Sequence, residues 1–329
     1  MSELHKFLFE GLPVRGMLVR LTDAWTEILH RRASGNPAGA YPLPVQNMLG
    51  EMVAAATLMQ SNIKFNGSLI LQIVGDGPVK LAVAEVQPDF GLRATATVTD
   101  AIATDASLSM LVNLNNQGKC AITLDPQTRF PGQQPYQGVV SLFGAAGEKL
   151  ESLSEVLEHY MLQSEQLETT LVLAVDDKVA AGLLIQRLPL EGSRNLAGSR
   201  VSLADEDEIG VNEHYKRIAM LASSLKREEL LTLDVETILR RLFWEEKLSR
   251  FEPMAGDTVP HFSCTCSRER VSHMILELGL AEAQSIVAER GDIEVGCDFC
   301  GAHYRFDPID VARIFREAGA SPPASATVQ

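Results

Sequence analysis

Apolar positions recur along this chain with two periods, and a change of period marks each expected change of element. Val14 to Leu21 reads as a short strand, and Thr22 is placed to cap a helix running through Arg32. From Pro42 to Asn62, Val45, Leu49, Met52, Val53, Ala56 and Met59 return at three- and four-residue steps, which predicts a helix. Strands are then expected at Ser68–Val74, Val79–Val86, Leu92–Val98, Cys120–Leu124 and Tyr136–Phe143. A helix over Leu150–Gln163 and strands at Thr169–Val175 and Val179–Arg187 close the unit. Hairpin-length connections dominate, so residues 1–187 are expected to form an α+β core domain, an antiparallel sheet with packed helices.

Residues 188–253 change character. Gly192, Ser193, Gly198 and Ser199 lead to an acidic run, Asp205 to Glu208, and then to two helical stretches, Asn212–Leu225 and Asp234–Leu248. The second carries a stripe of Val235, Ile238, Leu239, Leu242 and Phe243, with Arg240, Arg241, Glu245, Glu246 and Lys247 on the other face. Its apolar surface is too small to fold alone, so it must lean on a neighbour, either as an ordinary helical linker or as a segment that folds conditionally.

Residues 254–320 are expected to form a small third domain, followed by a disordered tail at 321–329. Ser267 caps a helix ended by Gly279, and Ala281–Arg290 stops at Gly291. Ile293–Val295 and His303–Phe306 bracket a turn as a small hairpin, and Asp307-Pro308 starts a last helix to Ala318. Four of the five cysteines lie here, as Cys264-Thr265-Cys266 and Cys297-Asp298-Phe299-Cys300, with 30 residues between the pairs. Two close thiol pairs on a short insert supply the tetrahedral sulfur shell that zinc prefers, and Gly301 suits a knuckle turn. Buried or disulfide-paired structural cysteines are the alternative. His261, His273 and His303 lie nearby, but four thiolates already complete a shell. Cys120, at the head of a strand, reads as a buried structural thiol.

Composition narrows the function. The net charge of −14 argues against nucleic acid or an anionic membrane as partner. The segment His261–Ala320 is itself acidic, with six arginines, no lysine and ten Asp/Glu. No transmembrane run or secretory leader is visible, so a reducing cytoplasm and metal-bound thiolates are expected rather than structural disulfides. Neither Gly75-Asp76-Gly77-Pro78, between two strands, nor Gly144 to Lys149, whose lysine is misplaced, meets the requirements of a phosphate loop. No catalytic constellation is visible in the large domain, so an enzyme is not expected.

The run Cys264-Thr265-Cys266-Ser267-Arg268-Glu269-Arg270 with Cys297-Asp298-Phe299-Cys300 resembles the redox-regulated thirty-three-kilodalton heat-shock chaperone family. Gly75-Asp76-Gly77-Pro78 with Ala82-Val83-Ala84-Glu85, Tyr136 to Val140, and Gln163 to Leu167 extend the resemblance over nearly the whole chain. Val271 departs from some relatives, which carry a further cysteine there, without touching the four ligands. The resemblance implies an ATP-independent cytosolic holdase for unfolded client proteins, inactive with zinc bound. Oxidation to disulfides would unfold and activate it, with a homodimer as the active form. The sequence neighbours are the natural mates, Cys264 with Cys266 and Cys297 with Cys300. Two rival readings are a constitutive zinc-ribbon adaptor and a thiol-disulfide oxidoreductase using Cys297 and Cys300.

Overall fold

The computed structural model describes residues 1–35, 39–128, 130, 133–189, 206–251 and 259–320. The Gly192–Ser199 stretch, Asp205 and the tail after Ala320 lie outside these. The chain divides into two compact units, Met1–His30 with Ala40–Ser263, and Arg31–Gly39 with Cys264–Gln329.

In chain order the first elements are β1 (Glu3–Phe9), β2 (Val14–Leu21), α1 (Asp23–Gly35), α2 (Leu43–Asn62), β3 (Gly67–Val74), β4 (Val79–Val86) and β5 (Gly91–Val98). They are followed by α3 (Leu108–Val112), β6 (Lys119–Pro126), β7 (Tyr136–Val140), α4 (Leu153–Ser164), β8 (Thr169–Val175) and β9 (Ala180–Arg187). Helices α5 (Glu206–Ser223), α6 (Arg227–Thr232) and α7 (Val235–Phe243) lead to β10 (Leu248–Arg250) and β11 (His261–Phe262). The strands form one sheet of order β10-β1-β2-β9-β8 and another of order β11-β5-β4-β3-β6-β7. All pairings are antiparallel except the short one between β11 and β5, which makes the architecture the α+β, antiparallel-sheet type expected.

Helix α2 packs against β2, β8 and β9 of one sheet and β3, β4 and β5 of the other. A helix apolar all round has to be buried all round. From Pro44 to Ser61, Gln46, Asn47 and Glu51 alone are less than fully buried. Gly50 allows the close approach to β8, since a Cβ there would stand 2.5 Å from Val175. Leu4, Met17 and Val19 join the α2 core, while their alternates Phe7, Phe9, Val14 and Leu18 face a second core on the opposite side of the sheet. Buried on both faces, β9 reads as a continuous apolar run, Ala180 to Ile185.

That second core is completed by α5, α6 and α7. All five stripe residues, Val235, Ile238, Leu239, Leu242 and Phe243, are buried in it, and Phe243 stacks edge-on against Phe9 at 5.0 Å. The segment leans on the core sheet, as its composition demands. The guanidinium of Arg20 on β2 donates to the carbonyls of Leu230, Leu233 and Leu231, at 2.6, 2.6 and 3.0 Å, tying α6 down.

Several expected boundaries need correction: the strand read over Tyr136–Phe143 ends at Val140, and the helix read over Asn212–Leu225 runs from Glu206 to Ser223. The helix predicted over Asp234–Leu248 ends at Phe243, and Leu248–Arg250 turns into a strand that pairs with β1. Glu246, expected outward, has a largely buried side chain paired with Arg217 at 2.5 Å. The helix predicted from Leu150 starts at Leu153, where Ser152 and Glu155 form a reciprocal capping box. Strands β1, β10 and β11 and helices α3 and α6 were not anticipated. Gly75 to Pro78 does link two antiparallel strands as a hairpin.

Candidate metal centre

The second unit contains α8 (Arg268–Leu278), α9 (Leu280–Arg290), β12 (Ile293–Gly296), β13 (His303–Phe306) and α10 (Pro308–Ala320). Ser267 Oγ accepts from the Arg270 amide at 3.2 Å, fixing the start of α8 directly after Cys266. Gly279 and Gly291 end α8 and α9 at φ +87° and +88°. Strands β12 and β13 pair from Ile293–Phe306 to Gly296–His303, which leaves Cys297 to Cys300 in the turn. The Cys297 amide donates to the Ala302 carbonyl and the Gly301 amide to the Cys297 carbonyl, both at 2.8 Å. Gly301, at φ +70°, lets the knuckle close.

This local scaffolding brings Cys264, Cys266, Cys297 and Cys300 together, with all four sulfurs within 4.8 Å of one another. Cys264 Sγ lies 3.7 Å from Cys297 Sγ, and Cys266 Sγ lies 3.3 Å from Cys300 Sγ. A zinc ion with metal–sulfur bonds of about 2.3 Å requires sulfur–sulfur edges of about 3.8 Å. The four thiols therefore fit that ion without rearrangement of the backbone. Among the described residues this is the single group of cysteine, histidine and acidic side chains placed to hold a metal.

Burial pushes the Cys300 and Cys297 thiols up. At Cys266 burial acts in the same direction, but hydrogen bonds from Tyr304 and the neighbouring thiols outweigh it and bring the group down to about 7. The Tyr304 hydroxyl donates to Cys266 Sγ at 3.2 Å. Sequence reasoning missed Tyr304, although a signal existed, because alternate residues of β13 face opposite sides and one of His303 and Tyr304 had to face the sulfurs. His303 Nδ1 instead meets Glu294 at 3.1 Å, and His261 Nδ1 meets the Val259 carbonyl at 2.9 Å. His273 lies on α8 in the wall of an open groove and takes no part in the cluster. Cys120, in the first unit, is fully buried, and its thiol is pushed up to about 12 by that burial.

The family model described as Hsp33 protein matches residues 2–307. The chain belongs to the Hsp33 family. Relatives named 33 kDa chaperonin include one from Chromobacterium violaceum, 45% identical over 95% of this chain and 94% of its own. Another, from Shewanella woodyi, is 39% identical over 95% and 96%. The crystal structure of a 33 kDa chaperonin from Thermotoga maritima superposes with a TM-score of 0.70 at 19% identity, over 97% of this chain and 99% of that one, which shows the shared fold. This Hsp33-family chain is accordingly a chaperone-family protein whose four-cysteine cluster is able to hold a metal ion. Among the described residues, no helix is long and apolar enough to cross a membrane.

Proposed function

We propose that this protein is a redox-regulated, ATP-independent holdase that protects unfolding clients in the cytoplasm during oxidative stress. The observation that carries the reading is the meeting of four sulfurs at zinc-compatible distances in a unit with a small core of its own. Cys264, Cys266, Cys297 and Cys300 would hold zinc as thiolates, and the ion would supply the cross-link that the unit's modest core lacks. That core is Val271, Ile275, Ala283, Ile293, Phe306, Val311 and Ile314.

Activation removes two electrons for each disulfide. A pair of thiolates transfers them to a peroxide or hypochlorous acid, which is reduced to water or to water and chloride. Cys264 joins Cys266 and Cys297 joins Cys300, and the ligand set is lost. In the reduced structure the nearest sulfurs are Cys264 with Cys297 and Cys266 with Cys300, so this pairing rests on proximity in sequence, and the very small Cys264–Cys266 ring is strained and comparatively easy to reduce. Cys264 follows β11 with Ser263 between, so a disulfide at Cys264–Cys266 acts on chain continuous with the segment that carries α7. Loss of the second unit's fold then releases α5–α7 and exposes apolar surface for a client, with a homodimer as the active form. No catalytic turnover, nucleic acid or membrane is involved.

Aggregation of a thermally unfolding client, followed with reduced and with oxidised protein while zinc release is monitored, tests this. Suppression by the oxidised form alone, in step with zinc release, is expected. Equal suppression by both forms would make the protein a constitutive binding module and end the redox reading.

A further inference from the structure

Away from the cysteines, the first unit contains a cleft of about 150 Å³ at the C-terminal end of α2, between the two sheets. Met59, Leu124, Met161 and Leu167 wall it, Ile63 and Tyr136 are exposed where it opens, and most of the surface it presents is apolar. One charged side chain on β2, Arg15, reaches this space. Its Nε and Nη2 donate to Gln186 Oε1, Nε at 3.1 Å, and Asn62 Nδ2 donates to the same oxygen at 2.9 Å. Gln186 is fully buried, and its own amide nitrogen donates to Thr169 Oγ1 at 2.8 Å. The acceptor that positions Arg15 is therefore itself fixed.

An amide oxygen accepts hydrogen bonds without neutralising a charge. Among the described residues no carboxylate pairs with Arg15, and its Nη1 makes no hydrogen bond. Burial holds the guanidinium below the ordinary arginine value, with no acid acting against it. Lys6 on β1 adds a second cation, held below the ordinary lysine value by burial and then by the charge of Arg15. The Lys6 ammonium donates to the Ser61 carbonyl in the last turn of α2, covering the helix end that would repel an anion. Glu165, the one acid lining the cleft, is exposed and accepts from the Tyr160 hydroxyl at 2.8 Å. Two neighbouring cations without an acid favour an anion, and a guanidinium with an open edge favours a planar carboxylate. The walls favour hydrocarbon, and an apolar cavity of about 150 Å³ admits a body of about six carbons.

We propose that this cleft is a binding site for short fatty carboxylates, the carboxylate accepting from the open edge of the Arg15 guanidinium and the alkyl chain lying along Met59, Leu124, Met161 and Leu167. The site is independent of the cysteine cluster and of the redox reading.

Calorimetric titration of the reduced full-length protein at pH 7 with hexanoate tests the assignment. Saturable binding of one hexanoate per chain is expected. Hexanamide, with the same length and no charge, should bind at least tenfold more weakly, and acetate, with the charge and no chain, should not saturate. Arg15→Gln keeps a hydrogen-bonding side chain beside Gln186 and removes the charge, and it should weaken hexanoate at least tenfold. Thermal unfolding followed by circular dichroism checks that variant's fold. Ile63→Glu sets a like charge where the cleft opens and leaves Arg15 and Gln186 in place, and it too should weaken hexanoate. Glu165→Gln should bind hexanoate no less tightly than the parent. If Arg15→Gln does not fold, Ile63→Glu and the parent's preference for hexanoate over hexanamide decide. No saturable binding in the millimolar range, equal binding of hexanamide or acetate, or undiminished binding to folded Arg15→Gln or to Ile63→Glu would overturn the proposal.

Discussion

The hydroxyl of Tyr304 spends its one proton on the Cys266 sulfur. A thiolate that accepts a hydrogen bond is a poorer nucleophile, so Tyr304→Phe should speed peroxide-driven loss of metal several-fold without changing the metal content of the reduced protein. Stopped-flow detection of released zinc with a chromogenic chelator checks this. Serine at both Cys264 and Cys297 removes half of the shell, and metal analysis of that double variant should find little zinc against one per chain in the parent. Glu51 gives a prediction of different sign. Burial raises its carboxyl from the ordinary 4.5 to about 7, with Arg227 opposing. The neutral form is the one the fold favours, so its contribution is full below pH 4.5 and is lost as pH rises through about 7. The parent should fall behind Glu51→Gln by an amount on the order of 3 kcal/mol across that window. Melting curves of the two proteins should nearly coincide at pH 4 and separate by several degrees at pH 8.

Helix α7 carries little besides its stripe, and burying one such side chain stabilises by roughly 1.5–3 kcal/mol. Leu239→Glu removes that and places a carboxylate in the apolar cluster that α5–α7 share with β1, β2 and β9. Hydrogen exchange over α5–α7 should rise in the reduced, metal-bound protein, and aggregation suppression should appear without oxidant. Fast exchange with no such activity would detach the helices from the switch. The stripe was legible because a 3.6-residue period needs no partner to be seen, and so were the cysteine spacing and the capped helix after it. Strand β1 was not. Its burial is irregular, with Glu3, His5 and Lys6 set among Leu4, Phe7 and Phe9, and two different cores, one on each sheet face, claim alternate apolar residues. Leu248–Arg250 was missed for a related reason. Nothing local distinguishes Glu245-Glu246-Lys247 from more helix, and the strand exists because Phe7 to Phe9 offer backbone partners some 240 residues earlier.

The two units differ in how much core they own, and that difference should appear on heating. The second unit has seven buried apolar residues in its cluster and four sulfurs, whereas a structural zinc is worth on the order of 10–16 kcal/mol in small modules. A strong chelator under reducing conditions should abolish a calorimetric transition belonging to Cys264–Gln329 and leave that of the two-sheet unit in place. A single transition lost entirely on chelation would show that the larger unit also depends on the metal. The sheets differ as well in how the chain threads them. Strands β3 to β7 are consecutive, so their sheet, apart from β11, is wired within residues 67–140. The sheet around them is not: β2 waits for β9, pairing Leu21 with Ala180. During synthesis the sheet of β3 to β7 has its pairing partners soon after it leaves the ribosome. The β1–β2 hairpin, already made, has only α2 to cover one face and an unpaired β2 edge until some 160 further residues have been added, and its other apolar face stays bare until α5–α7 follow. A protein assigned to guarding others from aggregation thus passes, on every round of its own translation, through an interval in which it is itself a candidate for such protection.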